Sequence, residues 1–265
     1  MTNVGYDEDF YSADIGLARR AAAEIVPLVM ERVQPHSVVD LGCALGVWLA
    51  EFARHGVTDY LGVDGEWVDR RLLQIPVGRF KAARLDKPFR LDRRFDLAVS
   101  VEVAEHLPEY AAKGFVQTIV RLAPCVLFSA AIPHQGGTRH LNEQWPEYWA
   151  ALFARHGYEV VDAIRPLVWS NPNVAFFHAQ NLLIFARPEL IASRSMLASD
   201  RACSTDSQLS LVHPRLLARA ATGTEHVRRP TAREFSLREL VDALPHAAVR
   251  SLRWHWRRFH RAGTS

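Results

Sequence analysis

The chain has 265 residues, of which 49% are apolar and 23% are charged, a composition typical of a soluble globular protein with one large domain and room for an appendage. It contains no apolar run of about 18 residues, the minimum for a membrane-spanning helix, and its N-terminus lacks the basic-then-apolar layout of a secretory signal. Its three cysteines, Cys43, Cys125 and Cys203, lie far apart, which argues against a disulfide framework or a zinc ribbon. We therefore expect a protein of the reducing cytoplasm.

The predicted elements alternate between helix and strand, which indicates a doubly wound, mostly parallel α/β sheet. Polar residues end several of these strands, and ligands bind at the carboxyl ends of such strands. The strand-end residues are Asp40, Asp64, Asp86, Glu102 and His134. In chain order, the prediction is a helix over 13–33, a strand over 37–42, a helix over 44–56, strands over 59–65, 79–85 and 95–101, a helix over 107–122, a strand over 125–132, a helix over 145–157, and strands over 158–165 and 181–188.

Charge is distributed unevenly along the chain. Residues 190–265 contain 13 arginines and six acids, a net +7, which leaves −4 for residues 1–189 because the whole chain carries +3. The regular alternation of elements also stops after Pro188. We therefore predict a folded domain over 1–189 and an Arg-rich extension over 190–265, of which 190–230 is expected to be a loosely packed linker.

The run VVDLGCALG, residues 38–46, places a glycine-rich turn between the first strand and the next helix. Such a turn lets a ligand approach the backbone, and the helix offers free N–H groups. The nicotinamide fingerprint needs glycine where this chain has Ala44 and Val47, so that fingerprint is not met. The spacing Asp-x-Gly-x-x-x-Gly instead resembles the first motif of class I S-adenosylmethionine (SAM)-dependent methyltransferases, with Ala44 in place of a third glycine. The alternative is a tight turn that binds nothing.

This resemblance covers about residues 20–187. It implies a seven-stranded Rossmann-like sheet with an antiparallel last strand, and SAM as cofactor. In the family, the first acid contacts the amino end of the cofactor, the glycine turn lets methionine pass, and an acid ending the second strand accepts both ribose hydroxyls, as two carboxylate oxygens can. By resemblance, the cofactor residues are Asp40, Gly42, Cys43, Gly46, Asp64, Asp86 and Val101, with Asp86 near the adenine amino group.

The run SVEVAEH, residues 100–106, carries Glu102, Glu105 and His106 just after a predicted strand. Close carboxylates repel each other, so such a cluster needs a proton or a cation. Carboxylates with a neutral imidazole suit Mg²⁺ or Mn²⁺. The spacing E-x-x-E-H resembles the metal site of the O-methyltransferases of ubiquinone biosynthesis and of the 2′-O-methyltransferases of small-RNA 3′ ends. The alternative is a solvated helix N-terminus, where acids are favoured by the helix dipole.

The loop after the fifth strand, AAIPHQGGTRHLNEQWPEYW, supplies two further histidines. Either of them, His134 or His140, could complete the metal site beside Glu102, Glu105 and His106. Gly136 and Gly137 permit a sharp turn that would carry His140 back across the pocket, and we favour His140 as the fourth ligand. The string QGG-x-x-H-x-NEQ resembles bacterial methyltransferases of glycan and natural-product tailoring. His140, His134 and Glu102 are therefore the candidate catalytic residues, with His134 as the candidate general base. The alternative is a packed surface loop.

Three further features carry weaker predictions. In FFHAQN, residues 176–181, His178 and Gln180 either line the acceptor pocket or are structural. Tyr6 and Tyr11 are candidates for a lid over the cofactor. The C-terminal run PHAAVRSLRWHWRRFHRAG has an apolar face with Trp256 between arginines, which suits peripheral contact with an anionic membrane or a polyanion. It is equally consistent with a helix docked on protein or a tail without fixed structure.

Together these features predict a SAM-dependent O-methyltransferase, in which a divalent metal lowers the pKa of the acceptor hydroxyl. The expected acceptor is a sugar hydroxyl on a glycan or a glycosylated metabolite, followed by a phenolic metabolite. An RNA 2′-O-methyltransferase is a rival, but the net −4 of residues 1–189 argues against a nucleic-acid partner because phosphate contacts need basic surface. A SAM-binding scaffold without turnover is the non-enzymatic alternative.

Overall fold

The computed structural model describes the backbone of residues 8–222 and side chains from residue 15 to residue 221. Its centre is a seven-stranded sheet in the order β3-β2-β1-β4-β5-β7-β6. β7 runs antiparallel to both of its neighbours, and the other pairs are parallel. This confirms the predicted doubly wound sheet. The strands are β1 (Ser37–Leu41), β2 (Asp59–Asp64), β3 (Phe80–Ala82), β4 (Leu97–Val101), β5 (Cys125–Ser129), β6 (Glu159–Val161) and β7 (Leu183–Ala186).

Helices cover both faces of the sheet. On one face, α1 and α2 build a core that contains Ile25 and Phe52, and on the other α3 and α4 build a core that contains Phe153. Phe153 stacks on Phe185 of β7 with ring centroids 4.1 Å apart, a contact whose loss in a Phe→Ala variant costs about 3–5 kcal/mol. The helices are α1 (Glu8–Val33), α2 (Val47–Arg54), α3 (Ala112–Leu122), α4 (Pro146–Ala154), α5 (Arg165–Val168), α6 (Phe176–Asn181), α7 (Pro188–Ser193), α8 (Ser195–Cys203) and α9 (Pro214–Thr222).

The parallel strands bring three of the predicted strand-end acids to one edge of the sheet. Asp40 of β1 pairs in register with Val99 of β4, so Asp40 and the residue that follows β4, Glu102, leave the sheet at the same edge. β2 also pairs in parallel with β1, which adds Asp64 to that edge.

The predicted helix over 107–122 begins later than expected. A short 3-10 turn spans Ala104–His106, a second spans Glu109–Ala111, and α3 starts only at Ala112. Pro108 explains the delay, because a residue before proline avoids the helical conformation, and Leu107 is indeed extended with ψ 145°. Glu102 and Glu105 therefore do not lie on one α-helical face.

The prediction of a loosely packed linker over 190–230 does not hold for residues 190–222. Helices α7, α8 and α9 fill this segment, and Leu197 and Leu209 are almost fully buried. Arg32 of α1 donates to Asp200 of α8 over 2.8 Å, which ties the segment to the domain. Single apolar residues in a polar, Arg-rich sequence carry this packing, so neither composition nor periodicity revealed it.

Two predictions fall outside the described residues. Tyr6 and the Tyr11 side chain, the candidate lid, lie before the first described side chain, and the basic run of the C-terminus lies beyond residue 222. Within residues 8–222, no helix combines the length and apolarity needed to cross a bilayer.

Candidate active site

The turn after β1 depends on glycine at two positions. Gly42 and Gly46 both have positive φ values, +88° and +80°, and a Cβ atom at these positions would lie 2.4 Å from Val103 Cγ2 and 2.8 Å from Ile75 Cγ1. Only glycine adopts this conformation without strain and leaves that space. Ala44, which replaces the family's third glycine, has φ +45° and costs about 1–2 kcal/mol in this left-handed conformation.

Asp40 ends β1 beside this turn with a carboxylate oxygen that has no partner. The side chain is buried, and no group of the described chain hydrogen-bonds its Oδ2. Burial, followed by the charge of Asp64, raises the pKa of Asp40 well above its usual range. An unpaired buried carboxylate oxygen needs an explanation, and the ammonium group of a bound amino acid provides one.

Asp64 ends β2 and connects it to the glycine turn. Its Oδ2 accepts from the Ala44 N–H over 2.8 Å, and its Oδ1 accepts from the Gly65 N–H over 2.6 Å. Burial raises the pKa of Asp64, and these two backbone donors oppose the rise. Each oxygen keeps a second lone pair, so the carboxylate can still accept both hydroxyls of a vicinal diol.

Trp67 adds an aromatic face beside Asp64 that the sequence analysis did not assign. A Cβ atom at Gly65 would lie 2.1 Å from the Trp67 ring, so the indole lies directly on the Gly65 backbone. Trp67 is nevertheless 58% exposed. The run VDGEW was the available signal, a tryptophan three residues after the strand-ending acid.

The other predicted cofactor residues differ in how they contribute. The Cys43 side chain is buried and packs under the turn, where its Sγ lies 2.7 Å from the position of a Cβ at Gly62. Val101 is the half-buried last residue of β4. Asp86 accepts from Arg84 Nε over 2.9 Å, and this hydrogen bond lowers its pKa. Asp86 is therefore held in an ion pair, which an adenine amino group would have to share.

Three of the four predicted metal ligands come together. Glu105, His106 and His140 each place a ligand atom within 4.8 Å of the other two. The two imidazole rings meet edge to face with centroids 4.9 Å apart. His140 follows His106 by 34 residues, and the loop returns because the N–H groups of Leu141 and Asn142 both donate to the Glu105 carbonyl, over 2.7 and 3.0 Å.

Three buried polar atoms of Glu105 and His106 lack hydrogen bonds in the described chain. Glu105 is fully buried, and neither of its carboxylate oxygens has a partner in the described chain; His106 Nδ1 also has none. Burial, and then the charge of Glu102, raises the pKa of Glu105 well above its usual range. Burial, and then His140, lowers the pKa of His106 to about 4, so this imidazole is neutral at pH 7. A carboxylate and two imidazoles are ligand types that suit a divalent cation.

His140 is oriented by its own loop. Its Nδ1 lies 3.0 Å from Glu143 Oε1, and Glu143 also accepts from the N–H groups of Gly136 and His134. Burial raises the pKa of Glu143, but the hydrogen bonds from His140 and these backbone donors outweigh it, and the pKa is lowered. A carboxylate on one ring nitrogen is the usual way of presenting the other nitrogen to a metal.

Glu102, the fourth predicted metal ligand, lies outside this group of three. Its Oε1 accepts from Asn181 Nδ2 over 3.1 Å and its Oε2 from Gln135 Nε2 over 2.8 Å. The backbone at Glu102 is left-handed, with φ +54°, so the chain turns sharply between β4 and the 3-10 turn and the two glutamates serve different partners. Strained conformations of this kind cluster at active sites.

Two other histidines singled out in the sequence, His134 and His178, are not part of this group. His134 is exposed, and its backbone N–H donates to Glu143 over 2.9 Å; its ring is not among the assembled ligands. His178 of α6 is buried, with its ring edge to face with Trp48 at 5.9 Å and its Nδ1 without a partner in the described chain. Burial lowers the pKa of His178 to about 4.

Comparison with known proteins agrees with this architecture. A family model described as a methyltransferase domain matches residues 14–163, more than half of the chain. No curated protein shows significant sequence similarity to it. The sugar N-methyltransferase KedS8 from a Streptoalloteichus species has a similar structure, with TM-score 0.54 and 16% identity over 71% of this chain and 95% of that one.

DesVI from Streptomyces venezuelae is also similar, with TM-score 0.50 and 14% identity over 69% of this chain and 99% of that one. At these identities the two likenesses concern the fold alone. The family match, the order of the sheet and the strand-end acids around the glycine turn all agree. The chain belongs to the class I SAM-dependent methyltransferases.

Proposed function

We propose that this enzyme is an O-methyltransferase that uses Mg²⁺ or Mn²⁺ to activate a hydroxyl of a sugar, on a glycan or a glycosylated metabolite. The observation that carries the proposal is the group of Glu105, His106 and His140, whose ligand atoms lie within 4.8 Å of one another. Both carboxylate oxygens of Glu105 and Nδ1 of His106 are buried without a hydrogen bond in the described chain. The group follows β4, and the cofactor turn follows the adjacent strand β1.

The residues of the turn fit SAM. Asp40 offers the unpaired Oδ2 to the ammonium end, the backbone of the glycine turn, which carries no side chain at Gly42 and Gly46, lets the methionine chain approach, and Asp64 can accept the ribose hydroxyls. When bound, SAM supplies a methyl group that is already activated by its sulfonium. The protein's task is therefore mainly to align an acceptor oxygen with it and to exclude water.

An alcohol must be activated before it can accept a methyl group, because the pKa of its hydroxyl is far above 7 and it is a poorer nucleophile than an amine. Glu105, His106 and His140 would hold a divalent ion, which would supply the lowering of the hydroxyl's pKa. Glu102, fixed by two amide donors, offers a carboxylate to the hydroxyl proton. KedS8 is named for methylation of nitrogen, so the choice of oxygen here rests on the cation site.

The sugar assignment rests on the surface around His140. Leu141 and Trp145 are 40% and 39% exposed, beside the polar groups of Asn142 and Glu143. An exposed indole next to fixed polar groups suits a sugar, which presents both an apolar face and hydroxyls. Two adjacent hydroxyls of a sugar would also be able to chelate a cation that the protein holds through only three side chains.

The test is methyl transfer from labelled SAM to a panel of glycosides, catechols and a short RNA, before and after exhaustive chelation. We expect glycoside methylation that is lost in chelator and restored by Mg²⁺ or Mn²⁺. Calorimetry should detect Mn²⁺ binding in the wild type and in Glu109→Gln, an exposed glutamate of the next turn, but not in Glu105→Gln.

Each contrary outcome has a definite meaning. Full activity after chelation contradicts the cation role. If the enzyme prefers a catechol or the RNA, that acceptor replaces the sugar in the proposal. If the protein binds SAM tightly but methylates no acceptor, and if Glu102→Gln changes neither result, the SAM-binding scaffold without turnover is favoured.

A further inference from the structure

A chain of buried amide side chains connects the segment after the sheet to Glu102. The His213 N–H donates to Gln180 Oε1 over 2.8 Å, and Gln180 Nε2 donates to Asn181 Oδ1 over 2.8 Å and to Gln135 Oε1 over 3.4 Å. Asn181 Nδ2 donates to Gln135 Oε1 over 2.8 Å. Asn181 and Gln135 then donate to the two oxygens of Glu102.

The hydrogen bonds of this amide series all run in one direction, and the His213 N–H at its start fixes that direction. A backbone N–H can only donate, so the Gln180 carbonyl oxygen must face His213 and its NH₂ group must face Asn181 and Gln135. The same reasoning fixes the next two amides, since an amide is oriented by its partners. Every step donates toward Glu102, and both carboxylate oxygens receive an N–H.

Because the three amides are buried, they cannot adopt the reversed orientation without a loss of hydrogen bonds. Gln180 is fully buried, and Asn181 and Gln135 are 3% and 6% exposed. A reversed amide would place N–H against N–H without water to relieve it, and an unsatisfied buried polar group costs about 1–3 kcal/mol. The three amides therefore behave as a unit.

The start of the chain is itself anchored. The buried Arg165 donates to the carbonyl of Leu209 over 2.7 Å and to that of Gln180 over 3.3 Å, and it pairs with Asp162. His213 Nε2 lies 2.9 Å from the Trp169 carbonyl oxygen. Residues 209–213 are thus held rigidly against α5 and α6.

We propose that residues 209–213 act at the acceptor site, by orienting Gln180, Asn181 and Gln135 so that Glu102 is held as the hydrogen-bond acceptor for the substrate hydroxyl. Gln180 is the positioning residue in this arrangement, because it joins the His213 N–H to both of the other amides. The Ile132 N–H also donates to Gln135 Oε1, over 3.4 Å, and favours the same orientation of that amide. The proposal rests on the proposed function in using Glu102 at the acceptor, and it does not depend on which class of acceptor is methylated.

The test replaces Gln180 by Glu, which still accepts from the His213 N–H but, when ionised, cannot donate to Asn181 and Gln135. We expect kcat to fall about 10- to 100-fold, the loss that small misplacements of catalytic groups produce, with SAM affinity unchanged within twofold. Gln208→Glu is the matched control, since Gln208 lies in the same segment but is exposed; it should keep wild-type kcat. Gln180→Met provides an uncharged second variant if the buried glutamate prevents folding.

Two readouts separate this proposal from the proposed function. In NMR spectra of the free protein, the side-chain NH₂ signals of Gln135 and Asn181 should exchange slowly with solvent in wild type and fast in the Gln180 variants. A folded Gln180 variant with wild-type kcat on the preferred acceptor overturns the proposal, whatever that acceptor is. Methylation of a catechol instead of a glycoside overturns only the sugar assignment, since the same kcat comparison then runs on the catechol.

Discussion

Gly137 and His140 are in such close contact that a Cβ atom at Gly137 would lie 2.2 Å from His140 Nε2. Gly137 also has φ +151°, a conformation that side chains rarely adopt. The absence of a side chain at residue 137 is therefore what lets the imidazole lie against the backbone of its own loop, beside Glu105 and His106.

Gly137→Ala should displace His140 and weaken Mn²⁺ binding. We expect a loss of about 10- to 100-fold in metal affinity, as for other changes that misorient a ligand, while SAM binding stays at the wild-type level. Gly78→Ala is the control, because nothing lies within 4 Å of a Cβ at that position. Calorimetric titration of both variants with Mn²⁺ checks this, and equal affinities would contradict the placement of His140.

Asp40→Asn should separate cofactor binding from stability. The buried carboxylate of Asp40, whose Oδ2 has no partner in the described chain, has a raised pKa, so its charge disfavours the cofactor-free fold at pH 7. We expect the cofactor-free variant to be at least as stable as the wild type in thermal unfolding, yet to bind SAM about 10-fold more weakly, the equivalent of about 1.4 kcal/mol. A destabilised variant with normal SAM affinity would show that Asp40 serves the fold alone.

His178 makes the stability of the fold depend on pH. Its pKa is lowered to about 4 in the folded protein and is about 6.5 in an unfolded chain, so the unfolded state binds a proton more readily between these values. The contribution of His178 to the free energy of unfolding is therefore fully present above pH 6.5. It is lost as the pH falls toward 4, which lowers the free energy of unfolding by about 3 kcal/mol. In urea unfolding at several pH values, His178→Phe should flatten this decline relative to wild type; an unchanged slope would contradict it.

Leu197→Ala tests the packing of the segment after the sheet. Leu197 of α8 is fully buried, whereas Leu217 of α9 is 64% exposed. We expect Leu197→Ala to lower the free energy of unfolding by about 2–5 kcal/mol and Leu217→Ala to change it by at most about 0.5 kcal/mol. Urea unfolding of the pair measures both, and similar small effects would restore the linker interpretation.

The shape of the glycine turn and the positions of the strand-end acids could be predicted from the sequence. Asp40, Gly42 and Gly46 lie within seven consecutive residues, and a tight strand-to-helix turn constrains such neighbours locally, so their spacing indicated both the backbone shape and the ligand. The alternation of strands and helices likewise specified a parallel sheet, because short crossovers leave few other arrangements. The position of Asp64 beside Asp40 could then be predicted as well, since neighbouring parallel strands end at the same edge of the sheet.

Only the tertiary structure decided how Glu102 and Glu105 divide their roles. The two are three residues apart in a run that was equally compatible with an α-helix or a 3-10 turn, and the left-handed backbone at Glu102 depends on its contacts with Ser129, Asn181 and Gln135. Those partners lie 27 to 79 residues away along the chain. The same holds for Leu197 and His213, whose burial comes from distant elements. Local turns are encoded by neighbouring residues, whereas the direction of a side chain at a strand end is set by whatever packs against it.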